Sequence, residues 1–349
     1  MIVGVPRESF PGERRVAMVP AVIPSLTKAG LEVVVEAGAG REAGYLDADY
    51  AAKGAKILPT RADVFAAADI VIQVLCYGSN DITGKADVPL YRPNQALIGF
   101  LRPLGSLETL QEIASKGVTA FSIELMPRTT RAQSMDALSS MATISGYKAV
   151  LIAADTLPKI FPMLTTAAGT ITPARVFIMG CGVAGLQAIA TARRLGAVVS
   201  AYDLRPAVKE QVQSLGGRFV EIAIEAKDAQ DARGYATAQG EEFYKKQREL
   251  LSKVVAESDV VVTAAVIPGK KSPILVTKEM VAGMAPSARI AASAARAVSR
   301  LSGQGRPCTM SVDSSATTGR WCVMASATSG LICRKAWRSM VTPRCLATS

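Results

Sequence analysis

The stretch ARVFIMGCGVAGLQAIATARRLGAVVSAYDLR, residues 174–205, indicates the fold most directly. An apolar run from Val176 to Met179 has the length of a strand, and a second apolar run covers Val198 to Tyr202. The segment between them, from Gly185 to Leu195, predicts a helix with one buried face. Strand, helix and strand in this order predict a βαβ unit of a parallel sheet.

The turn between the first strand and the helix reads Gly-Cys-Gly-Val-Ala-Gly, residues 180–185, and satisfies the pattern G-x-G-x-x-G. Gly180 allows the tight turn, Gly182 lets a pyrophosphate approach the backbone, and Gly185 lets the helix pack close to the strand. The helix also directs unpaired N–H groups and its positive dipole end at the phosphates. The pattern therefore predicts a dinucleotide site, and a glycine-rich turn in another kind of βα unit is the alternative.

An acidic residue follows the second strand. Asp203 lies 18 residues beyond Gly185, where a carboxylate accepts hydrogen bonds from the ribose hydroxyls of NAD and repels the 2′-phosphate of NADP. Arg205 follows two residues later and offers a partner for such a phosphate. The site is therefore better defined than the choice between NAD and NADP.

Composition limits the classes of function. The 349 residues predict two domains, and 49% hydrophobic residues allow substantial cores. The N-terminus has no secretory signal pattern, and no uncharged apolar run reaches the ~18 residues of a membrane span, so we expect a soluble chain. The absence of His excludes imidazole catalysis and His-ligated metals. The cysteines are spaced too irregularly for zinc, so no metal is expected.

The net charge of +11 is concentrated at the C-terminal end. Residues 289–349 contain nine of the 40 basic residues and one of the 29 acidic residues, together with both tryptophans and four of the six cysteines. The rest of the chain is nearly neutral, so the charge does not indicate a nucleic-acid partner.

Alternation of strands and helices over residues 1–125 and 174–287 predicts the α/β class, with two Rossmann-like, doubly wound parallel-sheet domains. Thr60 is the expected N-cap of a helix at Arg61–Ala67. The polar segment LMPRTTRAQSMDALSSM, residues 125–141, interrupts the alternation. It precedes a helix expected from about Asp136 to Ala154, and a solvated connection is its simplest interpretation.

Several segments resemble a known family. They are VGVPRESFPGERRVAMVPAVIPSLTKAG (3–30), MPRTTRAQSMDALSSM (126–141), GYKAVLIAA (146–154), GCGVAGLQAIATARRLGA (180–197), YDLRPAVKEQVQSLGG (202–217) and TAAVIPGKKSP (263–273). They resemble the NAD(H)-binding alpha subunit of proton-translocating NAD(P) transhydrogenase, whose family includes alanine dehydrogenase. The resemblance implies a first α/β domain at 1–140, an NAD-binding Rossmann domain at 141–288 and a cleft between them that holds NADH.

The resemblance also implies site residues. Arg128, Gln133, Asp136 and Ser139 match the loop around the nicotinamide and its ribose, and we treat them as the catalytic set. Tyr235 matches the tyrosine of a mobile loop that folds onto the nucleotide. The other cofactor-binding positions implied are Gly180, Gly182, Val183, Ala184, Gly185, Asp203, Leu204, Arg205, Ala265, Val266, Pro268 and Gly269.

The implied activity is direct hydride transfer between NADH on this chain and NADP(H) on a partner beta subunit, coupled to proton movement through a membrane-spanning subunit. A homodimer in the cytoplasm, peripheral to the inner membrane, is implied as well. Direct hydride transfer requires positioned rings and no protein acid or base, which agrees with the lack of His.

Two alternatives remain at this stage. Alanine dehydrogenase needs a Lys and a His in its first domain, whereas here the corresponding strand reads IVIQVLCYGS (70–79), and Arg102 stands where the His is expected. The other alternative is a non-catalytic, NAD-binding regulator.

The resemblance is expected to end near Ser287. Residues 289–349 lack the apolar strand ending in Asp and the Gly-Gly segment of the family, and a frame-shifted translation of GC-rich DNA or a disordered tail is our hypothesis. A basic arm that contacts a membrane or a partner is the alternative. We therefore expect the nucleotide-binding sheet to lack a strand and to expose an edge. As a consequence, we expect the chain to fold poorly or to bind NADH weakly.

Overall fold

The structure is a computed structural model that describes residues 1–127, 129–221, 240–265, 274–292 and 321–324. Two compact units divide at Ile123 and Glu124; the domain boundary at 140/141 that the resemblance implies stays a prediction. The reason for the division at 123/124 is packing: the long helix that follows the polar segment contributes Ala149, Val150 and Ala153 to the core of the second unit. The polar segment therefore belongs with that helix.

The first unit contains a six-stranded, fully parallel sheet in the order β3-β2-β1-β4-β5-β6. Its strands are β1 (Ile2–Val5), β2 (Glu32–Glu36), β3 (Lys56–Leu58), β4 (Ile70–Leu75), β5 (Ala96–Phe100) and β6 (Thr119–Ser122). Its α-helices are α1 (Ile23–Lys28), α2 (Asp47–Ala51), α3 (Arg61–Ala67) and α4 (Leu107–Ala114). Short 3₁₀ helices lie at Pro20–Val22, Arg41–Ala43, Gly84–Leu90 and Ile123–Leu125.

Local signals set several of these boundaries. Thr60 caps α3, because its side chain accepts a hydrogen bond from the N–H of Asp63 while the Asp63 carboxylate accepts from the N–H of Thr60. The predicted N-cap is thus confirmed as part of a capping box. The 3₁₀ helix at Pro20–Val22 leads directly into α1, with Pro24 in the first turn of α1, where a missing N–H costs little.

The carboxylate of Glu8, which is partly buried, lies beside the carboxyl end of β4. Glu8 accepts from the backbone N–H of Val74 at 2.6 Å and of Leu75 at 3.1 Å, where the pairing of β4 with β5 is irregular. Burial raises the pKa of Glu8 to about 7, since desolvation of the carboxylate outweighs its two backbone hydrogen bonds.

The second unit contains another parallel sheet, in the order β11-β10-β9-β12-β13-β14. Its strands are β9 (Arg175–Met179), β10 (Val198–Tyr202), β11 (Arg218–Phe219), β12 (Val260–Thr263), β13 (Arg289–Ala292) and β14 (Trp321–Met324). Its α-helices are α5 (Ala137–Thr156), α6 (Val183–Arg194), α7 (Lys209–Ser214), α8 (Glu241–Ala256) and α9 (Lys278–Ala282). Short 3₁₀ helices lie at Thr130–Met135 and Pro206–Val208, and β7 (Leu164–Thr166) pairs antiparallel with β8 (Gly169–Ile171).

Helices cover both faces of this sheet, as the alternation along β9 requires. Val176 and Ile178 pack into the cluster that contains buried residues of α5, α6 and α7. Phe177 and Met179 pack on the opposite face, against α8 and α9. The predicted fold class, doubly wound parallel sheets in two units, is confirmed. In each six-stranded sheet the first three strands in chain order extend to one side, and the chain then returns to the other side of the first of them, β1 or β9, for the remaining three.

The expected loss of a strand after residue 288 is wrong. Arg289–Ala292 forms β13, in parallel register with β12 from Val260 to Thr263. Ile290 and Ala291 are buried on opposite faces of the sheet. The sheet therefore does not end at β12. A missing strand after β12 is thus no longer a reason to expect weak folding or weak NADH binding. The hypothesis of a frame-shifted or disordered tail falls mainly on residues outside those described and stays a prediction.

Helix α5 meets the length and composition of a membrane span, the only described helix to do so. Within the second unit it packs along α6, and its residues Ala149, Val150 and Ala153 are fully buried. We therefore describe it as a core helix of this unit.

Candidate nucleotide-binding site

The turn after β9 accepts only glycine at its first position. Gly180 has φ +96°, and a Cβ built there would lie 2.9 Å from the backbone nitrogen of Ala265. The N–H of Gly180 donates to the carbonyl oxygen of Tyr202, which ties the turn to the end of β10. Because both the backbone angle and the space exclude a side chain, the tight-turn role predicted for Gly180 agrees with the geometry.

The other two glycines differ in their surroundings. A Cβ on Gly185 would lie 1.9 Å from the carbonyl oxygen of Gly180, so α6 packs against the turn at a distance that no side chain permits. Among the residues that the structure describes, a Cβ on Gly182 would meet no atom within 4 Å. Gly182 is the N-cap of α6, and its backbone is extended, with φ −75°. Within the described part of the chain, the space over Gly182 therefore has room for a ligand. It adjoins the first turn of α6, which includes Val183 and Ala184 and whose N–H groups have no partner within the helix.

Asp203 connects the end of β10 to the glycine turn. One carboxylate oxygen, Oδ2, accepts from the backbone N–H of Cys181 at 2.7 Å and from Nη2 of Arg205 at 3.1 Å. The other, Oδ1, accepts from the backbone N–H and from Nε of Arg205 at 2.9 and 3.0 Å. The sequence predicted a carboxylate beside the ribose position; it did not predict that Arg205 pairs with it.

The remaining described cofactor positions line or support the turn. Ala265 follows β12 and faces Gly180, while Leu204 packs against the core on the α8 face. The Cys181 thiol is buried, and desolvation raises its pKa, so it is a neutral packing group beside the turn.

Part of the polar segment before α5 serves to cap that helix. Asp136 is the N-cap of α5, and its carboxylate accepts from the backbone N–H of Ser139 at 2.9 Å and from its hydroxyl at 2.6 Å. Gln133 lies one turn earlier, in the 3₁₀ helix, and is exposed. Asp136 and Ser139 are thus held together, and Gln133 projects from the same short segment.

A further glycine, which sequence reasoning missed, connects this segment to the glycine turn. A Cβ on Gly146 of α5 would lie 2.0 Å from the carbonyl oxygen of Ala184, so the backbones of α5 and α6 are in direct contact there. The available signal was an isolated glycine inside an otherwise apolar helical pattern, which often marks close packing.

Five predicted positions, Arg128, Tyr235, Val266, Pro268 and Gly269, lie outside the described residues. The described positions form two groups within the second unit: the three glycines, Asp203 and Arg205 around the turn after β9, and Asp136 with Ser139 at the start of α5.

Comparison with known proteins places the chain in a family. Residues 4–145 match the profile of the alanine dehydrogenase/PNT N-terminal domain, and residues 149–296 match that of the alanine dehydrogenase/PNT C-terminal domain. The similarity thus continues past β13 to residue 296, beyond the end that we expected near Ser287.

Individual relatives fall into two groups. The chain is 46% identical over 291 residues to a Rhodospirillum rubrum protein named as the first segment of NAD(P) transhydrogenase subunit alpha, covering 83% of this chain and 76% of that protein. It is 29% identical to an alanine dehydrogenase of Mycolicibacterium smegmatis, covering 82% of this chain and 71% of that protein. A solved transhydrogenase structure from Sinorhizobium meliloti aligns with TM-score 0.77 and 39% identity, over 94% of this chain and 87% of that one. On these matches across both units, the chain belongs to the alanine dehydrogenase/PNT family.

Proposed function

We propose that the chain is the NAD(H)-binding alpha subunit of an NAD(P) transhydrogenase, and that it exchanges hydride directly with NADP(H) bound to a partner subunit. The higher identity to transhydrogenase alpha subunits than to alanine dehydrogenases supports this assignment. The structural observation that carries it is the arrangement of two site segments on one rigid helix of the second unit.

Helix α5 joins these segments. At its start, Asp136 and Ser139 are fixed by their mutual hydrogen bonds, and at Gly146 it contacts Ala184, inside the glycine turn. Seven residues of α-helix separate Ser139 from Gly146, which is on the order of 10 Å along the axis. Helix α5 therefore holds Asp136 and Ser139 at a fixed distance from the turn, where they can reach a nucleotide whose pyrophosphate lies over Gly182.

The residues of the turn fit the pyrophosphate end of a dinucleotide. Among the described residues, none occupies the space where a Cβ of residue 182 would stand, and the first N–H groups of α6 lie beside it. Asp203 is positioned by the backbone of Cys181 and supplies the carboxylate that a ribose diol requires. The bound nicotinamide supplies the hydride chemistry.

The chain's own residues then have a positioning role. Gln133, Asp136 and Ser139 offer amide, carboxylate and hydroxyl groups, which orient a carboxamide or a ribose through hydrogen bonds. We propose that Arg128 and Tyr235 complete this set of polar side chains around the nicotinamide end of the nucleotide. Because hydride passes directly between two rings, no residue has to take or give a proton, and the chain contains no His that would do so.

Partners follow from the same assignment. We propose an NADP(H)-binding beta subunit and a membrane-spanning subunit, so that this chain is cytoplasmic and peripheral to the inner membrane. We also propose a homodimer, supported by the β7–β8 hairpin. All residues of that hairpin are exposed, including Leu164 and Ile171, and an isolated hairpin is at best marginally stable in water.

The alternative is an alanine dehydrogenase, which oxidises an amino acid and needs a proton acceptor. In this chain β4 ends with the buried Leu75, and Arg102 occupies the position expected for the His. Neither side chain serves as a base near neutral pH. A non-catalytic, NAD-binding regulator would bind the nucleotide as both enzymes do, and only a measurement of catalytic turnover distinguishes it from them.

The test combines binding and isotope transfer. The full-length chain is titrated with NADH, whose fluorescence should change on binding. It is then mixed with the NADP(H)-binding subunit, NADP+ and NADH deuterated at C4; as NADH is oxidised to NAD+ and NADP+ is reduced to NADPH, the deuterium should appear in NADPH and not in solvent. Incubation with NAD and alanine should give no NADH. Binding without deuterium transfer would favour the regulator, and alanine-dependent reduction would favour the dehydrogenase.

A further inference from the structure

The carboxylate of Asp203 is fully occupied by protein donors. Within the described part of the chain, each of its two oxygens accepts two hydrogen bonds, and a carboxylate offers about four acceptor positions in all. The Asp203 and Arg205 side chains are only 6% and 14% exposed, so water does not compete strongly for these positions. A ribose hydroxyl that binds Asp203 must therefore replace one of the existing donors.

Two of the four donors are fixed and two are replaceable. The N–H groups of Cys181 and Arg205 belong to the backbone, next to the glycine turn and at the end of β10, and they keep their places whatever the side chains do. The Nε and Nη2 donors belong to the guanidinium of Arg205, at 3.0 and 3.1 Å. These two guanidinium donors form a fork on the Asp203 carboxylate. A ribose diol also has two donors, its hydroxyl groups, and can take the place of both.

We infer that Arg205 competes with the ribose of the nucleotide for Asp203 and thereby reduces the discrimination between NADH and NADPH. This inference rests on the proposed NAD(H) site. Arg205 weakens NADH binding because its fork must open before the diol can bind. The same side chain strengthens NADPH binding, since a guanidinium beside the carboxylate offsets its repulsion of a 2′-phosphate and offers that phosphate a bidentate partner.

The test is a pair of fluorescence titrations, with NADH and with NADPH, on the full-length chain and three variants. In Arg205→Leu we expect NADH to bind about fivefold more tightly, because no ion pair has to be broken. We expect NADPH to bind about tenfold more weakly, because one positive charge near the phosphate is lost. In Arg205→Lys, the charge remains without the fork, and NADPH should bind within about threefold of the original chain. Arg194→Ala, which removes an exposed charge at the end of α6, should change neither affinity.

Each outcome decides the inference. Weaker NADH binding in Arg205→Leu, or an unchanged ratio of the two affinities, would overturn it. A loss of NADPH affinity in Arg205→Lys as large as in Arg205→Leu would also overturn it, since charge would then not be the cause. If Arg205→Leu fails to melt cooperatively, the lysine variant carries the test, with tighter NADH binding as the expected result.

A fourth variant separates this inference from the assignment beneath it. Asp203→Asn should weaken NADH binding if the proposed site is right. If the original chain binds no NADH, or if Asp203→Asn binds it unchanged, the proposed site itself fails. If Asp203→Asn weakens binding while Arg205→Leu leaves the ratio unchanged, only the role of Arg205 fails.

Discussion

Gly182→Ala separates ligand binding from folding more cleanly than any other change at the turn. A Cβ at this position would meet no atom of the described residues within 4 Å, and the backbone, at φ −75° and ψ −166°, is one that alanine adopts. Alanine is a poorer N-cap than glycine, but it lowers the entropy of the unfolded chain by an amount worth about 0.4–1 kcal/mol. The two effects nearly cancel, so we expect the free energy of unfolding to change by less than about 0.5 kcal/mol.

The effect on binding should be far larger. The methyl group would occupy the space that we assign to the pyrophosphate, and would remove at least one hydrogen bond between a backbone N–H and a charged phosphate. Such a bond contributes about 2 kcal/mol, which corresponds to an affinity about 30-fold lower.

The assay is a fluorescence titration with NADH, together with urea unfolding of the same preparation. If Gly182→Ala unfolds like the original chain and still binds NADH within twofold of its affinity, the phosphates do not lie over Gly182, and our interpretation of the turn is refuted.

Three further changes test the packing of α6 in the second unit and two features of the first unit. Gly185→Ala would place a Cβ 1.9 Å from the carbonyl oxygen of Gly180, and urea unfolding should show a loss of about 3 kcal/mol or more; unchanged stability would contradict the close packing of α6. Thr60→Ala removes the side chain that accepts from the N–H of Asp63 and should cost about 1 kcal/mol, whereas Thr60→Ser should cost much less. Glu8 should make the chain less stable as pH rises. Its pKa is raised from 4.5 to about 7 on folding, so its contribution is fully present below pH 4.5 and is lost through pH 7. We expect a loss of about 2 kcal/mol between pH 5 and 8, which Glu8→Gln should largely abolish; an equal slope in that variant would show that other groups titrate.

Short-range patterns determined a large part of this structure. The order of apolar runs, the spacing of Gly180, Gly182 and Gly185, and the following Asp203 predicted a parallel βαβ unit. These features depend on the conformational needs of single residues and on periodicity over one element, both of which can be read locally. The family resemblance added the residues of the polar segment before α5.

Strand β13 shows what local reading missed. Arg-Ile-Ala-Ala contains one large apolar residue and no terminal acid, so its pattern alone does not predict a strand. Its pairing with β12 supplies the backbone hydrogen bonds. Arg289 can be buried because its guanidinium donates to the carbonyl oxygens of Thr156, at the end of α5, and of Ser287, in the turn before β13.

The same distinction applies to the site. The sequence by itself determined that glycines and an acid would meet at the end of a parallel strand, because those residues are close along the chain and serve one turn. Only the tertiary structure decided that Gly146 of α5 contacts Ala184, and that the Arg205 side chain folds back onto Asp203. Such contacts depend on distances between elements and on which donors reach a buried carboxylate, and neither is encoded in any single stretch of residues.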